Sequence, residues 1–294
     1  MSAKILDGKA IAEQVLIETQ EGVAEFRKAN GVAPGLAFVR VGEDPASVVY
    51  VGAKAKMCER LGIQSQTFVL PATTSEKQVL ELIVSLNQQK AVHGILVQAP
   101  LPSGISEERV FETIDPAKDV DGFHPMNLGK LAIGDQRSFV ACTPAGVHQI
   151  LIRSGIAISG KHVVVIGRSR IVGRPMALIL MNKGKHADAT VTVCHSRTPD
   201  IPSITRQADI LIAAMGRNRF VKADMVREGA VVVDVGITRI TDPSKKSGYR
   251  LEGDVDYGPV AQKAGWITPV PGGVGPMTIA MLMANTLKAA KSQN

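Results

Sequence analysis

Residues 161–181 read KHVVVIGRSRIVGRPMALILM. The apolar, β-branched run 163–166 has the pattern of a buried strand. Gly167 and Gly173 bracket a turn, and residues 174–181 can enter a helix. A strand, a glycine turn and a helix in that order bring backbone N–H donors at a helix N-terminus toward a pyrophosphate. The spacing, GxSxxxG, departs from the dinucleotide fingerprint GxGxxG, so an ordinary glycine-rich turn is the competing reading.

Downstream, ATVTVC ends before HSRT, with no acidic residue where an Asp or Glu would hold the ribose hydroxyls of NAD. Arg168, Ser196 and Arg197 instead offer charged and hydroxyl donors suited to a 2′-phosphate, which favours NADP over NAD. For each of these the alternative is a solvated arginine or a turn-capping serine. VVVDVGI reads as another strand and its end loop, with Ile237 either a nicotinamide-side contact or simply core. In all, strands are expected at 36–41, 94–97, 162–166, 189–194, 210–213 and 231–235, and helices at 7–29, 47–61 and 75–89. That alternation predicts a wound α/β fold. The second half restarts as strand, turn and helix, so a domain boundary is expected within 121–143. Residues 276–290, entered through PGGVG and a proline, form an apolar helix able to pack back on the first domain.

The composition agrees with an α/β enzyme. A chain of 294 residues, 45% of them hydrophobic, supplies a substantial core. Its net charge of +7 is spread along the chain and aromatic residues are only 4%, so nucleic acid is not an expected partner. Cys58, Cys142 and Cys194 have neither zinc-ligand spacing nor the even count of a disulfide framework, which points to a reducing compartment. The opening MSAKILDGKAIAEQV has no apolar signal core, and no stretch is long and apolar enough to span a membrane, so a cytoplasmic location is expected. His93, His124, His148, His162, His186 and His195 form no metal-ligand spacing, and no metal is expected.

Four further positions carry chemistry. In SVVYVGAKAKMCERLG, Tyr50 and Lys54 are four residues apart and share one helix face, whereas Lys56 points elsewhere. Tyr50 can stack on a planar ligand and Lys54 can orient water; equally, the two can cover apolar surface. Gln98 in GILVQAPLP sits at a strand end within reach of a ligand, of Lys54 or of solvent. Asp121 in DVDGFHP can bind the donors of a heteroaromatic ring or cap a turn.

Taken in order, YVGAKAK, VQAPLP, DVDGFHP, GRSRIVGRP, DVGI and PGGVGPMT span both halves. The chain resembles the bifunctional methylenetetrahydrofolate dehydrogenase/methenyltetrahydrofolate cyclohydrolase family. The resemblance implies an N-terminal α/β catalytic and folate-binding domain over 1–122, with 276–294 packing back on it. It also implies a Rossmann-like NADP-binding domain over 141–275, folate between the two lobes, and a homodimer formed through the nucleotide-binding lobes. The implied reactions oxidise 5,10-methylenetetrahydrofolate to 5,10-methenyltetrahydrofolate with NADP⁺ and hydrolyse that product to 10-formyltetrahydrofolate. Both belong to one-carbon metabolism. By the same resemblance Tyr50 stacks on the pterin, Lys54 is the central catalytic group, Gln98 tunes it and Asp121 anchors the pterin. Gly167, Arg168, Ser169, Ser196 and Ile237 are implied cofactor contacts, and Pro271, Gly272 and Gly273 form a substrate-side loop. The passage MNKGKHADAT reads as a loop elaboration before the strand at 189–194. A monofunctional NADP-dependent dehydrogenase and a nonenzymatic folate- or nucleotide-binding regulator are the alternatives, and intact Lys54 and Gln98 argue against both.

Overall fold

The computed structural model describes residues 2–245 and 248–293. The first half runs β1 (Lys4–Ile5), α1 (Gly8–Asn30), β2 (Gly35–Val41), α2 (Pro45–Leu61), β3 (Gln64–Leu70), α3 (Glu76–Gln88), β4 (Gly94–Val97), α4 (Glu107–Thr113) and α5 (Pro125–Ala132). There follow α6 (Cys142–Arg153), β5 (His162–Ile166), α7 (Gly173–Met181), β6 (Thr190–Cys194), α8 (Ile201–Thr205), β7 (Ile210–Ala213) and β8 (Val231–Asp234). The chain ends with β9 (Thr238–Thr241), β10 (Tyr249–Glu252), α9 (Tyr257–Ala261), β11 (Trp266–Ile267) and α10 (Val274–Gln293). None of the helices, among the described residues, is long and apolar enough to cross a membrane.

Two compact units result. One comprises Met1–Ala12, Leu131–Gly134 and Thr143–Thr278; the other comprises Glu13–Lys130, Asp135–Cys142 and Ile279–Asn294. The second therefore includes most of α10, the helix expected to return to the N-terminal domain. The first includes β1, which a reading of 1–122 as one domain does not anticipate. A strand of two residues carries no periodicity that would reveal its partner.

The first unit is built on a six-stranded parallel sheet in the order β1-β11-β8-β7-β5-β6. Strand β5 lies between β6 and β7, so the chain winds one way from β5 to β6 and the other way beyond. Such a reversal opens a crevice at the carboxyl ends of the strands, where doubly wound folds bind ligands. Strands β7 and β8 are buried throughout, as are residues 163–166 of β5, which explains the apolar runs that make up all of them but the terminal Asp234 of β8. Their side chains meet Val221, Val255, Val260 and Ile267 in one core. Strands β9 and β10 form a separate antiparallel pair.

The other unit holds a three-stranded parallel sheet in the order β3-β2-β4. One face of β2 and β4 packs with Val79, Ile83 and Leu86 of α3 and Val110 of α4. Helix α2 has defined ends. Asp44 accepts from the N–H of Ser47, Pro45 occupies the first turn, and Gly62 closes the helix at φ +77°. Those caps, with Val51, Cys58 and Leu61 turned inward, set the rotational phase of the helix.

Candidate active site and cofactor site

In the three-stranded unit, the phase of α2 leaves Tyr50 and Lys54 off its buried face. Tyr50 is 48% exposed and Lys54 is half-buried. Gln98 follows the last residue of β4, and its backbone N–H donates to Val39 O at 2.8 Å. Lys54 Nζ donates to Gln98 Oε1 at 3.0 Å, and Gln98 Nε2 donates to Ala99 O at 2.7 Å. The second bond fixes which end of the amide faces the ammonium group, so Gln98 presents an acceptor to Lys54 and holds one of its protons in place.

Both aspartates of DVD are needed to understand the third member of the site. Asp119, almost wholly buried, accepts from the backbone N–H groups of Gly122 (3.1 Å), Phe123 (3.1 Å) and His124 (2.9 Å) and from Asn127 Nδ2 (2.8 Å). The capping role considered for Asp121 thus belongs to Asp119, and the Asp121 carboxylate is spared for other work. Burial pushes Asp121 up to about 6; Lys54 pulls it down, Asp119 raises it, and a hydrogen bond with Cys142 lowers it. Lys54, Gln98 and Asp121 therefore form one cluster of a cation, an amide and a partly desolvated carboxylate.

Sequence reasoning missed the residues that hold this cluster. Asn285 of α10 donates to Val120 O at 2.8 Å, just before Asp121, and to Val140 O at 3.1 Å, in the segment leading into α6, and so links the two. Cys142 Sγ lies 3.5 Å from Val120 O, and burial pushes its thiol well up, so it acts as a neutral donor. The doubled aspartate of DVDG was the available signal for a capped turn. Nothing local pointed to Asn285, more than 140 residues away.

In the six-stranded unit, the expected cofactor residues gather at the carboxyl end of the sheet. Gly167 has φ +130°, and a Cβ there would strike Ala214 O; a Cβ on Gly173 would strike Gly167 O. Backbone packing alone accounts for both glycines. The ligand argument rests instead on location, since the loop opens at the reversal of winding and feeds the N-terminus of α7. Ser169 Oγ accepts from Val172 N–H at 3.1 Å and Gly173 N–H at 3.4 Å, which leaves its own proton to donate. Arg168 and Arg174 are exposed beside it.

Strand β6 runs in register with β5, Cys194 opposite Ile166, so the turn 195–198 lies next to this loop. Within the turn His195 N–H donates to Thr198 Oγ1 at 2.9 Å, and the side chains of Ser196 and Arg197 stay exposed. These residues fit a 2′-phosphorylated dinucleotide: a helix N-terminus for the pyrophosphate, with a hydroxyl and a guanidinium, and no carboxylate, in the adjoining turn. Ile237 follows β8 and is 49% exposed, a surface position rather than core. Pro271, Gly272 and Gly273 follow β11, where Gly272 O accepts from Lys9 N–H at 3.0 Å. In the KGKH passage Asp188 Oδ2 accepts from Gly184 N–H at 3.2 Å, and His148 Nε2 lies 2.6 Å from His186 O, tying that loop to α6.

Models of the tetrahydrofolate dehydrogenase/cyclohydrolase catalytic domain and of its NAD(P)-binding domain match residues 6–121 and 141–294. The chain belongs to the tetrahydrofolate dehydrogenase/cyclohydrolase family. The Lys54–Gln98–Asp121 cluster falls in the catalytic-domain match, and the loops from Gly167 to Gly273 fall in the NAD(P)-binding match. The family chain is 57% identical over 291 residues to the bifunctional protein FolD of Chlorobium luteolum, covering 99% of each. Among solved structures it is similar to the Campylobacter jejuni bifunctional FolD dehydrogenase/cyclohydrolase, at 47% identity, full coverage of both chains and a TM-score of 0.93. It is also similar to the Trypanosoma brucei enzyme complexed with NADP cofactor and inhibitor, at 40% identity, 99% and 98% coverage and a TM-score of 0.93.

Proposed function

We propose that this chain oxidises 5,10-methylenetetrahydrofolate to 5,10-methenyltetrahydrofolate with NADP⁺ and then hydrolyses the methenyl compound to 10-formyltetrahydrofolate. NADP, when bound, supplies the acceptor for hydride from the bridging carbon. The protein's task in that step is alignment, with Tyr50 stacking on the pterin, Asp121 accepting from its N–H donors and Pro271, Gly272 and Gly273 lining the substrate side. Gly167, Arg168, Ser169, Ser196 and Ile237 hold the dinucleotide.

The second reaction adds water to the methenyl carbon, opens the ring at one C–N bond and releases a proton. The observation that carries it is the 3.0 Å bond from Lys54 Nζ to Gln98 Oε1 next to Asp121. An ammonium group so held is positioned to move protons between the attacking water and the departing ring nitrogen. That pairing argues against an enzyme that only transfers hydride and against a protein that only binds. Adding preformed 5,10-methenyltetrahydrofolate without NADP tests it. The intact protein accelerates formation of the 10-formyl product, and Lys54→Met loses roughly 10²–10⁴-fold of that rate while binding NADP⁺ normally. An equal loss of NADP⁺ binding, with hydrolysis intact, would sink the assignment.

The protein works as a cytoplasmic homodimer, and its 10-formyl product feeds purine and amino-acid biosynthesis, including that of methionine and histidine. The dimer reading is supported by β6, an edge strand of the nucleotide-binding unit that, among the described residues, pairs with β5 alone. Light scattering at micromolar concentration gives twice the chain mass if it is correct and the chain mass if it is not.

A further inference from the structure

The carboxyl ends of β7 and β8 hold two aspartates that the site described above leaves without a task. Asp234, the last residue of β8, accepts from the backbone N–H groups of Gly236 (3.0 Å), Asp254 (2.9 Å) and Val255 (2.9 Å). Its own N–H donates to Thr268 Oγ1 at 2.7 Å. Asp254 is wholly buried, and its Oδ2 accepts from Met215 N–H at 2.7 Å and Gly216 N–H at 2.9 Å, in the turn after β7. The other oxygen, Oδ1, lies against Gly236 and, among the described residues, has no hydrogen-bond partner. Among the described residues neither carboxylate is ion-paired; the neighbouring Arg219 and Lys222 are engaged by Glu252 and Asp256.

Bracing of loops explains the bonded oxygens. It does not explain a fully buried carboxylate oxygen without a donor, close to a second buried carboxylate and without a counter-ion, because each of those features costs stability. Burial, with Asp254 adding to it, pushes Asp234 up to about 6, and a positive charge nearby relieves the cost of keeping both carboxylates ionised. In a doubly wound sheet the two halves of a dinucleotide extend to either side of the reversal of winding. Ser196 and Arg197 place the 2′-phosphate half beyond β6, so the nicotinamide half extends over β7 and β8, whose end loops are the ones that Asp234 and Asp254 hold.

We propose that Asp234 and Asp254 form a negative charge behind those loops that selects the oxidised dinucleotide, whose nicotinamide is a cation, over the reduced one, whose nicotinamide is neutral. The proposal rests on reading this unit as the NADP site. Hydride transfer removes the ring's positive charge, so the same pair that favours entry of the oxidised form favours departure of the reduced form.

The experiment is calorimetric titration of the full chain with NADP⁺ and, separately, NADPH, in the absence of folate, for the wild type, Asp254→Asn and Asp234→Asn. Asparagine at 254 keeps an acceptor for Met215 and Gly216 and removes the charge. The expected result is tighter binding of NADP⁺ than of NADPH by the wild type. Asp254→Asn then loses roughly tenfold for NADP⁺ and stays within about twofold for NADPH. Equal losses for both forms indicate a slackened loop and overturn the charge selection alone; an unchanged ratio overturns it as well. If Asp254→Asn lacks a cooperative melting transition, Asp234→Asn carries the same comparison. A wild type that binds NADPH as tightly as NADP⁺, or more tightly, overturns the proposal without any variant. One that binds neither overturns the nucleotide reading too.

Discussion

At the scale of single residues, the division of labour within DVD decides what Asp121 can do. Asp119 takes the turn's backbone donors, and Asp121 is left close to Lys54 with its carboxyl pushed up to about 6 by burial. An unfolded aspartate titrates near ~3.9, so between about 4 and about 6 the folded chain binds the additional proton. Stability due to this group therefore falls as pH rises through that window, and the cost of the ionised carboxylate is fully present above it. Asp121→Asn should raise the melting temperature near neutral pH and lose that advantage at about pH 4. A gain that grows toward acid contradicts the assignment. Function runs the other way, since the ionised carboxylate is the better acceptor for pterin donors. Folate affinity of the intact protein, measured by calorimetry, should weaken as pH drops through about 6, and Asp121→Asn should bind folate weakly at every pH. Unchanged folate binding by Asp121→Asn removes Asp121 from the substrate site.

At the scale of elements, the β5–α7 loop has little tolerance for added bulk. Gly173→Ala drives a methyl group into Gly167 O and should destabilise the protein by ~1–3 kcal/mol. It should also weaken NADP⁺ binding, and a full-strength binder with an unchanged melting temperature would show that the loop's tight packing is immaterial. This loop was legible because β5 and α7 are both strongly apolar and a glycine turn separates them. The same holds for β4, GILV, buried at all four positions. Strand β3, QSQTFVL, was not legible: it is a sheet edge with most side chains in solvent, so neither an apolar run nor clean alternation marks it. Strands β1 and β11, of two residues each, are defined by their partners rather than by pattern. Within the site, Lys54 and Gln98 were nameable from helix spacing and a strand end. Asn285 and Asp254 were not, because their roles depend on contacts distant in sequence: Asn285 with Val120, Asp254 with Met215.

At the scale of the whole molecule, the chain joins two α/β units with different tasks. One holds the Lys54–Gln98–Asp121 cluster; the other is a doubly wound sheet within the NAD(P)-binding-domain match, with glycine loops at its carboxyl edge. Segments distant in sequence complete each unit. Residues 2–12 supply the edge strand of the six-stranded sheet, and α10 supplies Asn285 to the three-stranded unit. Deleting the last fifteen residues, which include the buried Thr286, Leu287, Ala289 and Ala290 as well as Asn285, should therefore disable the folate unit although no proposed catalytic residue is lost. Retained hydrolysis of methenyltetrahydrofolate by the truncated chain would contradict that view. The central claim is that one chain carries both reactions, and the most direct test supplies 5,10-methylenetetrahydrofolate with either NADP⁺ or NAD⁺ while resolving the methenyl and 10-formyl products. The account predicts faster reduction of NADP⁺, followed by 10-formyl production above the spontaneous rate. Reduction with the methenyl product decaying only at its spontaneous rate would contradict it.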